Sequence, residues 1–294
     1  MSRQKTSFNV LENPEHKPVN FLQIKLIALD LDGTALQDDH RSVSERMKRS
    51  ISAAAAQGIS VAVASGRIYS FLPRTVVSIP EIDWAVTSNG SVLYSVKEEK
   101  TASGEYIAPE DAAWVLRQVP PDMWAEVWSR GRIYIARDKW RRSQEYPLLP
   151  LHRTALSMVG TETEDLFSLL DSGAADVEKI NLPLIPPAMK AGIRKLLSGR
   201  GKYSLVNEGH GIEVMGAGIS KARGIRNLCR RLPGVRLQNV LAVGDSENDI
   251  DMLRECGLGV AMGNAADCVK AAADAVTCSN SEDGAALAIE KYAL

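Results

Sequence analysis

The stretch IKLIALDLDGT (residues 24–34) decides the fold of this chain. Its first six residues form a short and mostly apolar run, which ends directly in the polar sequence DLDGT. This pattern is typical of a buried β-strand that enters a loop. Because open α/β sheets bind ligands beyond the carboxyl ends of their strands, the polar residues from Asp30 onward are candidates for function.

Further apolar runs that end in polar residues occur toward both ends of the chain. The predicted strands are residues 24–29, 59–64, 85–87, 240–243 and 258–262. One helix is predicted to end at Gly58, a second to be capped by Ser220 and a last one by Ser281. Because strands alternate with helices, we predict an α/β fold with a doubly wound, mostly parallel, Rossmann-like sheet that is covered on both faces.

The middle of the chain has a different composition. Residues 92–216 contain four of the five tryptophans and a basic cluster at residues 130–142, and they lack the pattern of strands ending in polar loops. We therefore predict an inserted α+β domain, the cap, at residues 92–216. The core domain would consist of residues 24–91 and 217–294, and the polar residues 1–23 would form a tail that precedes it.

Composition excludes several classes of function. The chain has 294 residues and a formal net charge of −1, so it has no overall electrostatic reason to bind nucleic acid or an anionic membrane. We expect no membrane-spanning helix, because no apolar stretch is long enough, and no secretory signal, because residues 1–20 contain no apolar run. The four cysteines form no CxxC pair, which suits a reducing compartment. We expect a cytoplasmic protein without nucleic-acid or membrane partners, and the sequence leaves its oligomeric state open.

The polar residues at the predicted strand ends form one set of candidates. They are Asp30, Asp32, Ser65, Asn89, Asp245, Asn248, Asp249 and Asn264, and Lys221 joins them at the start of a helix. Carboxylates that converge on one crevice repel each other unless a cation lies among them, and hard oxygen ligands suit Mg²⁺. A lysine, a serine and the amides around Gly33 suit the charged oxygens of a phosphoryl group.

Four segments in this order resemble the motifs of the haloacid-dehalogenase-like phosphohydrolases, in particular the Cof-type sugar-phosphatase branch. The segments are DLDGT at 30–34, SGR at 65–67, ISKA at 219–222 and GDSEND at 244–249. The resemblance covers both ends of the chain. Because 155 residues separate Ser65 from Lys221, the insertion falls between the second and third motifs, where the family carries its larger α/β cap.

The resemblance implies a role for each matching residue. Asp30 would be the nucleophile, and Asp32 would protonate the leaving group and then activate water. The metal ligands would be Asp30, Asp32 through its backbone carbonyl, Asp245 and Asp249. The phosphoryl group would be held by Ser65, Gly66, Lys221 and Asn248. Possible substrate-binding residues are Arg67, Asn89, Gly90 and Asn264.

These roles imply a Mg²⁺-dependent phosphatase of small phosphorylated metabolites, with sugar phosphates as the first expectation. Ion pumps of the family have a threonine in place of Asp32, so hydrolase or mutase chemistry is favoured over pumping. A phosphohexomutase that uses the same aspartyl-phosphate chemistry is one alternative. A catalytically idle protein that binds metabolites and regulates is another.

Several of these features also have purely structural interpretations. The pair Asn89-Gly90 is equally typical of a tight turn. The basic cluster is expected to be a solvated surface of the cap, and the cap tryptophans are expected to pack rather than to stack on sugars. No metal or catalytic role is expected for the four dispersed histidines.

Overall fold

Strands of two sheets alternate with helices along the chain in a computed structural model, which describes residues 23–173 and 175–294. Residues 1–22 of the predicted tail lie outside the described residues. The strands are β1 (Leu26–Leu29), β2 (Ser60–Ala64), β3 (Ile82–Thr87), β4 (Val92–Ser95), β5 (Lys100–Gly104), β6 (Glu126–Ser129), β7 (Arg132–Ala136), β8 (Gly160–Thr163), β9 (Val177–Leu182), β10 (Tyr203–Glu208), β11 (Gly211–Gly216), β12 (Val240–Gly244), β13 (Leu258–Ala261) and β14 (Ala275–Val276).

Helices separate most of these strands. They are α1 (Glu45–Ala56), α2 (Arg74–Val77), α3 (Pro109–Arg117), α4 (Arg137–Arg141), α5 (Pro150–Val159), α6 (Leu166–Asp171), α7 (Pro187–Gly199), α8 (Lys221–Cys229), α9 (Ile250–Glu255), α10 (Asp267–Lys270) and α11 (Gly284–Tyr292). No helix in the described part of the chain has the length and hydrophobicity needed to cross a membrane.

The larger sheet has eight strands in the order β14-β13-β12-β1-β2-β3-β4-β5. Strand β1 lies at its centre, where Leu29 pairs with Val63 of β2 and with Val243 of β12, both in parallel register. Only the edge formed by β3, β4 and β5 is antiparallel. The predicted doubly wound, mostly parallel sheet is confirmed.

Side chains of the central strands pack alternately toward the two faces of this sheet. Ile27 and Leu29 lie in an apolar cluster with residues of α1 and α11, whereas Leu26 and Ala28 lie in a second cluster with residues of α8 and α9. Since successive strand residues point to opposite faces, a continuous apolar run such as that of β1 is what a strand buried on both faces requires.

Two predicted helix boundaries are confirmed. The hydroxyl of Ser220 accepts a hydrogen bond from the backbone N–H of Arg223 at 3.3 Å, which caps α8. Gly58 follows the end of α1 with a φ of 81°, a left-handed conformation that favours glycine.

The predicted cap at Ser281 is wrong. Helix α11 begins at Gly284, and Asp283 is at its N-cap position. The capping serine is instead Ser279, at the start of the preceding turn. Its hydroxyl and its backbone N–H both donate to the carboxylate of Glu282. This reciprocal box closes a separate short turn, Asn280–Glu282, and leaves Ser281 inside it.

The predicted boundary of the insertion at residue 92 also needs correction. Strands β4 and β5 extend the larger sheet, so residues 92–104 belong to it by hydrogen bonding. Thr87 pairs with Val92 across the turn at Asn89 and Gly90. The boundary was placed where the composition changes, but the first tryptophan of residues 92–216 is Trp114.

The second sheet, which we call the cap sheet, consists of β6 to β11 in the order β10-β11-β9-β6-β7-β8. It is antiparallel except for the pair β7 and β8. Its residues lie in the chain between β5 and α8. Val127, Ile180 and Val214 are on its apolar face, in a cluster with residues of α3, α6 and α7.

Five of the six basic residues at positions 130–142 are exposed, and Lys139 is buried. Arg130, Arg137 and Arg142 are exposed and pair with Asp176, Glu162 and Glu145 respectively. Ion pairs at this exposure contribute little to stability, which agrees with the expected solvated surface.

We expect Leu241→Ala in β12 to lower the free energy of unfolding by about 2–5 kcal/mol, because it leaves a cavity in the centre of the sheet. Leu241 has no exposed surface, whereas Leu196 of α7 is 47% exposed. Leu196→Ala is therefore the control and should change the free energy of unfolding by about 0.5 kcal/mol or less. Urea denaturation followed by circular dichroism measures both variants, and equal losses would contradict this account of the core.

Candidate active site

Three loops at the carboxyl ends of parallel strands build the site. Asp30 follows β1, Ser65 follows β2 and Asp245 follows β12, while Lys221 is the first residue of α8. These strands are neighbours in the sheet, so residues far apart in the chain reach the same edge.

Three carboxylates meet at this edge. Among the described residues, one oxygen each from Asp30, Asp245 and Asp249 lies within 4.8 Å of the others. Asp30 is 5% exposed and Asp249 has no exposed surface. A group of carboxylates at this spacing has the geometry that a single cation requires.

The ammonium group of Lys221 lies between two of these carboxylates. It donates to Oδ1 of Asp30 at 2.5 Å and to Oδ1 of Asp249 at 2.7 Å, and all three side chains are buried. Burial alone would lower the pKa of Lys221, but the carboxylates of Asp249 and Asp30 outweigh it and raise this pKa above its ordinary value. Lys221 is therefore a fixed positive charge.

One ammonium group does not balance three carboxylates. Burial, together with the nearby charges of Asp249 and Asp245, raises the pKa of Asp30 well above its ordinary value, although Lys221 opposes the shift. Burial and Asp249 likewise raise the pKa of Asp245. The excess of two negative charges and the hard oxygen donors fit a divalent cation such as Mg²⁺.

The side chain of Asp249 is fixed by its own loop. Its Oδ2 accepts hydrogen bonds from the backbone N–H groups of Asp245 and Ser246, both at 2.9 Å, while Oδ1 faces Lys221. A Cβ at Gly244 would lie 2.5 Å from Cγ of Asp249. Only glycine therefore allows the carboxylate to fold back on the end of β12.

The side chain of Asp245 is held from the loop after β1. Thr34 Oγ1 donates to Asp245 Oδ1 at 3.0 Å. Gly33 has a φ of 77°, and a Cβ there would lie 2.3 Å from Oδ2 of Asp245. Asn264 donates to the carbonyl of Gly33 at 2.9 Å, so its side chain supports this loop, and its contact with substrate stays a prediction.

Asp32 does not join the three carboxylates. Arg67 donates to both of its carboxylate oxygens, at 2.7 Å and 2.6 Å, and His40 Nδ1 lies 2.9 Å from Oδ1. Burial would raise the pKa of Asp32, but the hydrogen bonds and charge of Arg67 lower it below its ordinary value. The metal contact expected from its backbone carbonyl stays a prediction.

The predicted phosphate side of the site is a second group of neighbours. Ser65 is buried, and its hydroxyl accepts from the backbone N–H of Arg67 at 3.1 Å. Asn248 donates to Oδ1 of Asn89 at 3.0 Å, and a Cβ at Gly66 would lie 3.0 Å from that same oxygen. Within the described residues, Oδ1 of Asn248 is buried and has no hydrogen-bond partner. Such an oxygen is available to a ligand.

The turn at Asn89 and Gly90 has a structural role, and its contact with substrate stays a prediction. Gly90 has a φ of 102°, and a Cβ there would lie 2.0 Å from the carbonyl oxygen of Ser220, so this glycine is needed for close packing against the start of α8. Asn89 also has a positive φ, of 57°, and its side chain points to Asn248 and to the cap sheet.

Residues of the cap sheet complete the site, and the sequence analysis did not select them. Lys179 donates to the carbonyl oxygen of Gly66 at 2.8 Å, and Asn89 donates to Glu213 at 2.6 Å. Ser88 donates to Glu178 at 2.5 Å. Charged residues between apolar ones in the strand sequences VEKINL and GIEVMG were a signal that could have identified them.

Residues 27–289 match the family model described as haloacid dehalogenase-like hydrolase. The chain belongs to the haloacid dehalogenase-like hydrolases. The four motifs of the sequence analysis lie within the matched range, and the recognition of this family is confirmed.

Curated relatives of this hydrolase span nearly its whole length. One is the 5-amino-6-(5-phospho-D-ribitylamino)uracil phosphatase YcsE of Bacillus subtilis (strain 168), at 30% identity, with 93% of this chain and 97% of the relative covered. Another is YbjI of Escherichia coli (strain K12), a phosphatase named for the same compound, at 31% identity, with 92% and 96% covered. The prediction of a phosphoric monoester hydrolase is confirmed.

Solved structures agree with the fold. A haloacid dehalogenase-like hydrolase from B. subtilis superposes with a TM-score of 0.75 at 28% sequence identity, and the match covers 91% of this chain and 99% of that chain. The fold class, with a mostly parallel core and a second sheet, is the one shared with this neighbour.

We expect Asp245→Asn to remove most of the thermal stabilisation by Mg²⁺, because it takes away one of three carboxylate ligands. Saturating Mg²⁺, at about 100 times its dissociation constant, should stabilise the unchanged protein by about 2.7 kcal/mol. With EDTA the variant should be at least as stable as the unchanged protein, since repulsion among the carboxylates is relieved.

Asp251→Asn is the matched control, because Asp251 is exposed and lies six residues after Asp245. Differential scanning calorimetry with Mg²⁺ and with EDTA measures both variants. An equal Mg²⁺ shift in both would remove Asp245 from the set of ligands.

Proposed function

We propose that this hydrolase is a Mg²⁺-dependent phosphatase that acts on small phosphorylated metabolites through an aspartyl-phosphate on Asp30. The observation that carries the proposal is the placement of Lys221, whose ammonium bridges Asp30 and Asp249 beside the carboxylate of Asp245. A nucleophile, a fixed positive charge and an acidic metal site thus share one buried edge of the sheet.

Asp30, Asp245 and Asp249 would hold the metal. Bound Mg²⁺ would offset the negative charge that keeps substrate phosphate away and would stabilise the charge of the transferring group. Lys221 holds Asp30 in position, and its positive charge would also stabilise the oxygens of the transferring phosphoryl group. The hydroxyl of Ser65 and the NH₂ group of Asn248 can donate hydrogen bonds to phosphoryl oxygens, whereas Oδ1 of Asn248 can only accept one.

The chemistry takes two steps. A carboxylate oxygen of Asp30 attacks phosphorus, the bond from phosphorus to the leaving oxygen breaks, and Asp32 protonates that oxygen so that an alcohol departs. Water then attacks the phosphorus of the aspartyl-phosphate while Asp32 accepts its proton. Inorganic phosphate leaves, and both carboxyl groups return to their starting states.

The pair between Asp32 and Arg67 fits the second step directly. Arg67 lowers the pKa of Asp32, which favours the carboxylate that accepts a proton from water. For the first step Asp32 must carry a proton, which its pairing with Arg67 disfavours in the structure without substrate. His40 contacts Oδ1 of Asp32, to which Arg67 also donates. The sequence predicted no catalytic role for this histidine.

The substrate class we propose is a small phosphate ester with a hydroxylated leaving group, which includes sugar phosphates. YcsE and YbjI are named for a compound that carries a phosphorylated ribityl chain, and this chain is 30% and 31% identical to them. A phosphohexomutase would give net isomerisation that depends on a bisphosphate, and an idle regulator would release no phosphate. A phosphate-release assay separates the phosphatase from the other two, and an isomerisation assay with and without a bisphosphate separates the mutase from the regulator.

We expect Asp30→Asn to lower kcat for p-nitrophenyl phosphate by at least about 10³-fold, because an amide is a poor nucleophile. Asp251→Asn should leave kcat within about twofold, and EDTA should abolish turnover by the unchanged protein. Retained Mg²⁺-dependent turnover by Asp30→Asn would refute the nucleophile.

We expect Asp32→Asn to lower kcat by about 10²–10⁴-fold, because the asparagine side chain neither donates a proton to the leaving oxygen nor accepts one from water. With p-nitrophenyl phosphate, which leaves readily without a proton, the slow step becomes hydrolysis of the aspartyl-phosphate. Mass spectrometry of the quenched variant should then show one phosphoryl group on the peptide that contains Asp30. Absence of this adduct at steady state, with kcat reduced, would contradict the role of Asp32 as base.

A further inference from the structure

One face of the cap sheet carries buried polar side chains in a row. Glu126 of β6, Asn181 of β9 and Glu213 of β11 are direct cross-strand neighbours, and each is at most 4% exposed. Beside this row, Lys179 pairs with Trp128 across β9 and β6, with its Nζ 3.8 Å from the centroid of the indole ring. The opposite face of the same strands is the apolar cluster around Ile180.

Folding alone does not call for this polar face. Removing a charged group from water costs free energy that an ion pair only partly returns, and apolar residues at the same positions would pack as well or better. A buried face with two glutamates, a lysine and an asparagine therefore indicates a task beyond packing.

The row is oriented by Glu126, whose carboxylate has four donors. Nε1 of Trp124 and Nε2 of His152 approach Oε1 at 2.7 Å and 2.6 Å, while Nε1 of Trp128 and Nδ2 of Asn181 approach Oε2 at 2.8 Å and 3.0 Å. A carboxylate accepts and does not donate, so the NH₂ group of Asn181 must face it.

Fixing the NH₂ group also fixes the amide oxygen of Asn181. This Oδ1 is buried and has no hydrogen-bond partner among residues 23–173 and 175–294. A buried acceptor without a donor is costly, and structures rarely keep one without a reason. Asn181 is 1% exposed, so what it needs is a donor brought into the site rather than bulk water.

The face lies directly against the predicted phosphate side of the core. Lys179 reaches the carbonyl oxygen of Gly66, and Glu213 accepts from Asn89, which itself contacts Asn248. A substrate whose phosphate lies among these core loops would extend its leaving group toward Lys179, Glu213 and Asn181.

We propose that Asn181 is a specificity-determining residue, whose amide oxygen accepts a hydrogen bond from a hydroxyl of a phosphorylated polyol or sugar. The inference rests on the proposed function and adds the group that recognises the leaving group. Lys179 and Glu213, which also form a buried ion pair with each other, complete the subsite. A hydroxyl both donates and accepts, so a polyol can replace the carbonyl of Gly66 as partner of Lys179 and the amide of Asn89 as partner of Glu213.

The substrate pair that tests this is ribitol 5-phosphate and pentyl phosphate, which share a five-carbon chain and differ in the hydroxyls. The unchanged protein should prefer ribitol 5-phosphate in kcat/KM by at least about 10²-fold, because pentyl phosphate leaves the amide oxygen of Asn181 without a donor and the other polar groups without a hydroxyl partner. Equal kcat/KM values for the two esters would overturn the proposal without any variant.

Asn181→Leu should lower kcat/KM for ribitol 5-phosphate by about 10- to 100-fold and leave kcat/KM for pentyl phosphate within about threefold. The preference for ribitol 5-phosphate then falls by about the same factor. Ile180→Val is the matched control, because Ile180 lies on the same strand and faces the apolar cluster. It should leave the preference unchanged. An equal fall for both esters in Asn181→Leu would show a merely structural role and overturn the proposal.

A binding measurement separates this inference from the proposed function. Calorimetric titration of ribitol 5-phosphate into Asp30→Asn, and into the same protein with Asn181→Leu added, needs no turnover. A dissociation constant that is 10- to 100-fold larger in the double variant supports the subsite even if no phosphate release is found. Equal constants overturn it even if the phosphatase is active.

Discussion

The buried ammonium group of Lys221 is the constraint on which the rest of the site depends. It joins Asp30, at the end of β1, to Asp249, which follows β12, although Lys221 and Asp30 are 191 positions apart in the chain. A buried charge must be paired, and breaking a buried pair typically costs about 3–5 kcal/mol because the remaining charge is left uncompensated. The start of α8 and the carboxyl ends of both strands are therefore held in one arrangement.

Glycines make this arrangement possible where the backbone approaches the carboxylates. A side chain at Gly244 would collide with Asp249, and one at Gly33 would collide with Asp245. The loops can thus turn two carboxylates toward Asp30 at a distance where only a cation stabilises them. The raised pKa of Asp30 follows from the same burial and crowding, so the close packing of the loops also creates the acidic cluster that could hold a metal.

The parallel core and the polar residues gathered at its edge could be predicted because their signals are local. Each short apolar run ends in its own polar loop, and the geometry of a parallel sheet gathers those loops without further information. The partners of Asp32 could not be read in this way, because Arg67 and His40 reach it through the packing of two separate loops. Strands β4 and β5 were assigned to the insertion since composition changes gradually there, whereas hydrogen bonding places them in the core sheet.

The contacts of the cap sheet were out of reach for a stronger reason, since they depend on how two sheets pack against each other. The alternation of charged and apolar residues in β9 and β11 shows that one face is polar, but only the structure shows that this face meets Gly66 and Asn89. These contacts are hydrogen bonds to a backbone carbonyl and an amide, which a hydroxylated ligand can replace at little net cost. The bonds of Lys221 to Asp30 and Asp249 offer no such exchange. In the function we propose, the rigid edge would serve the phosphoryl group and the replaceable contacts would serve the rest of the substrate.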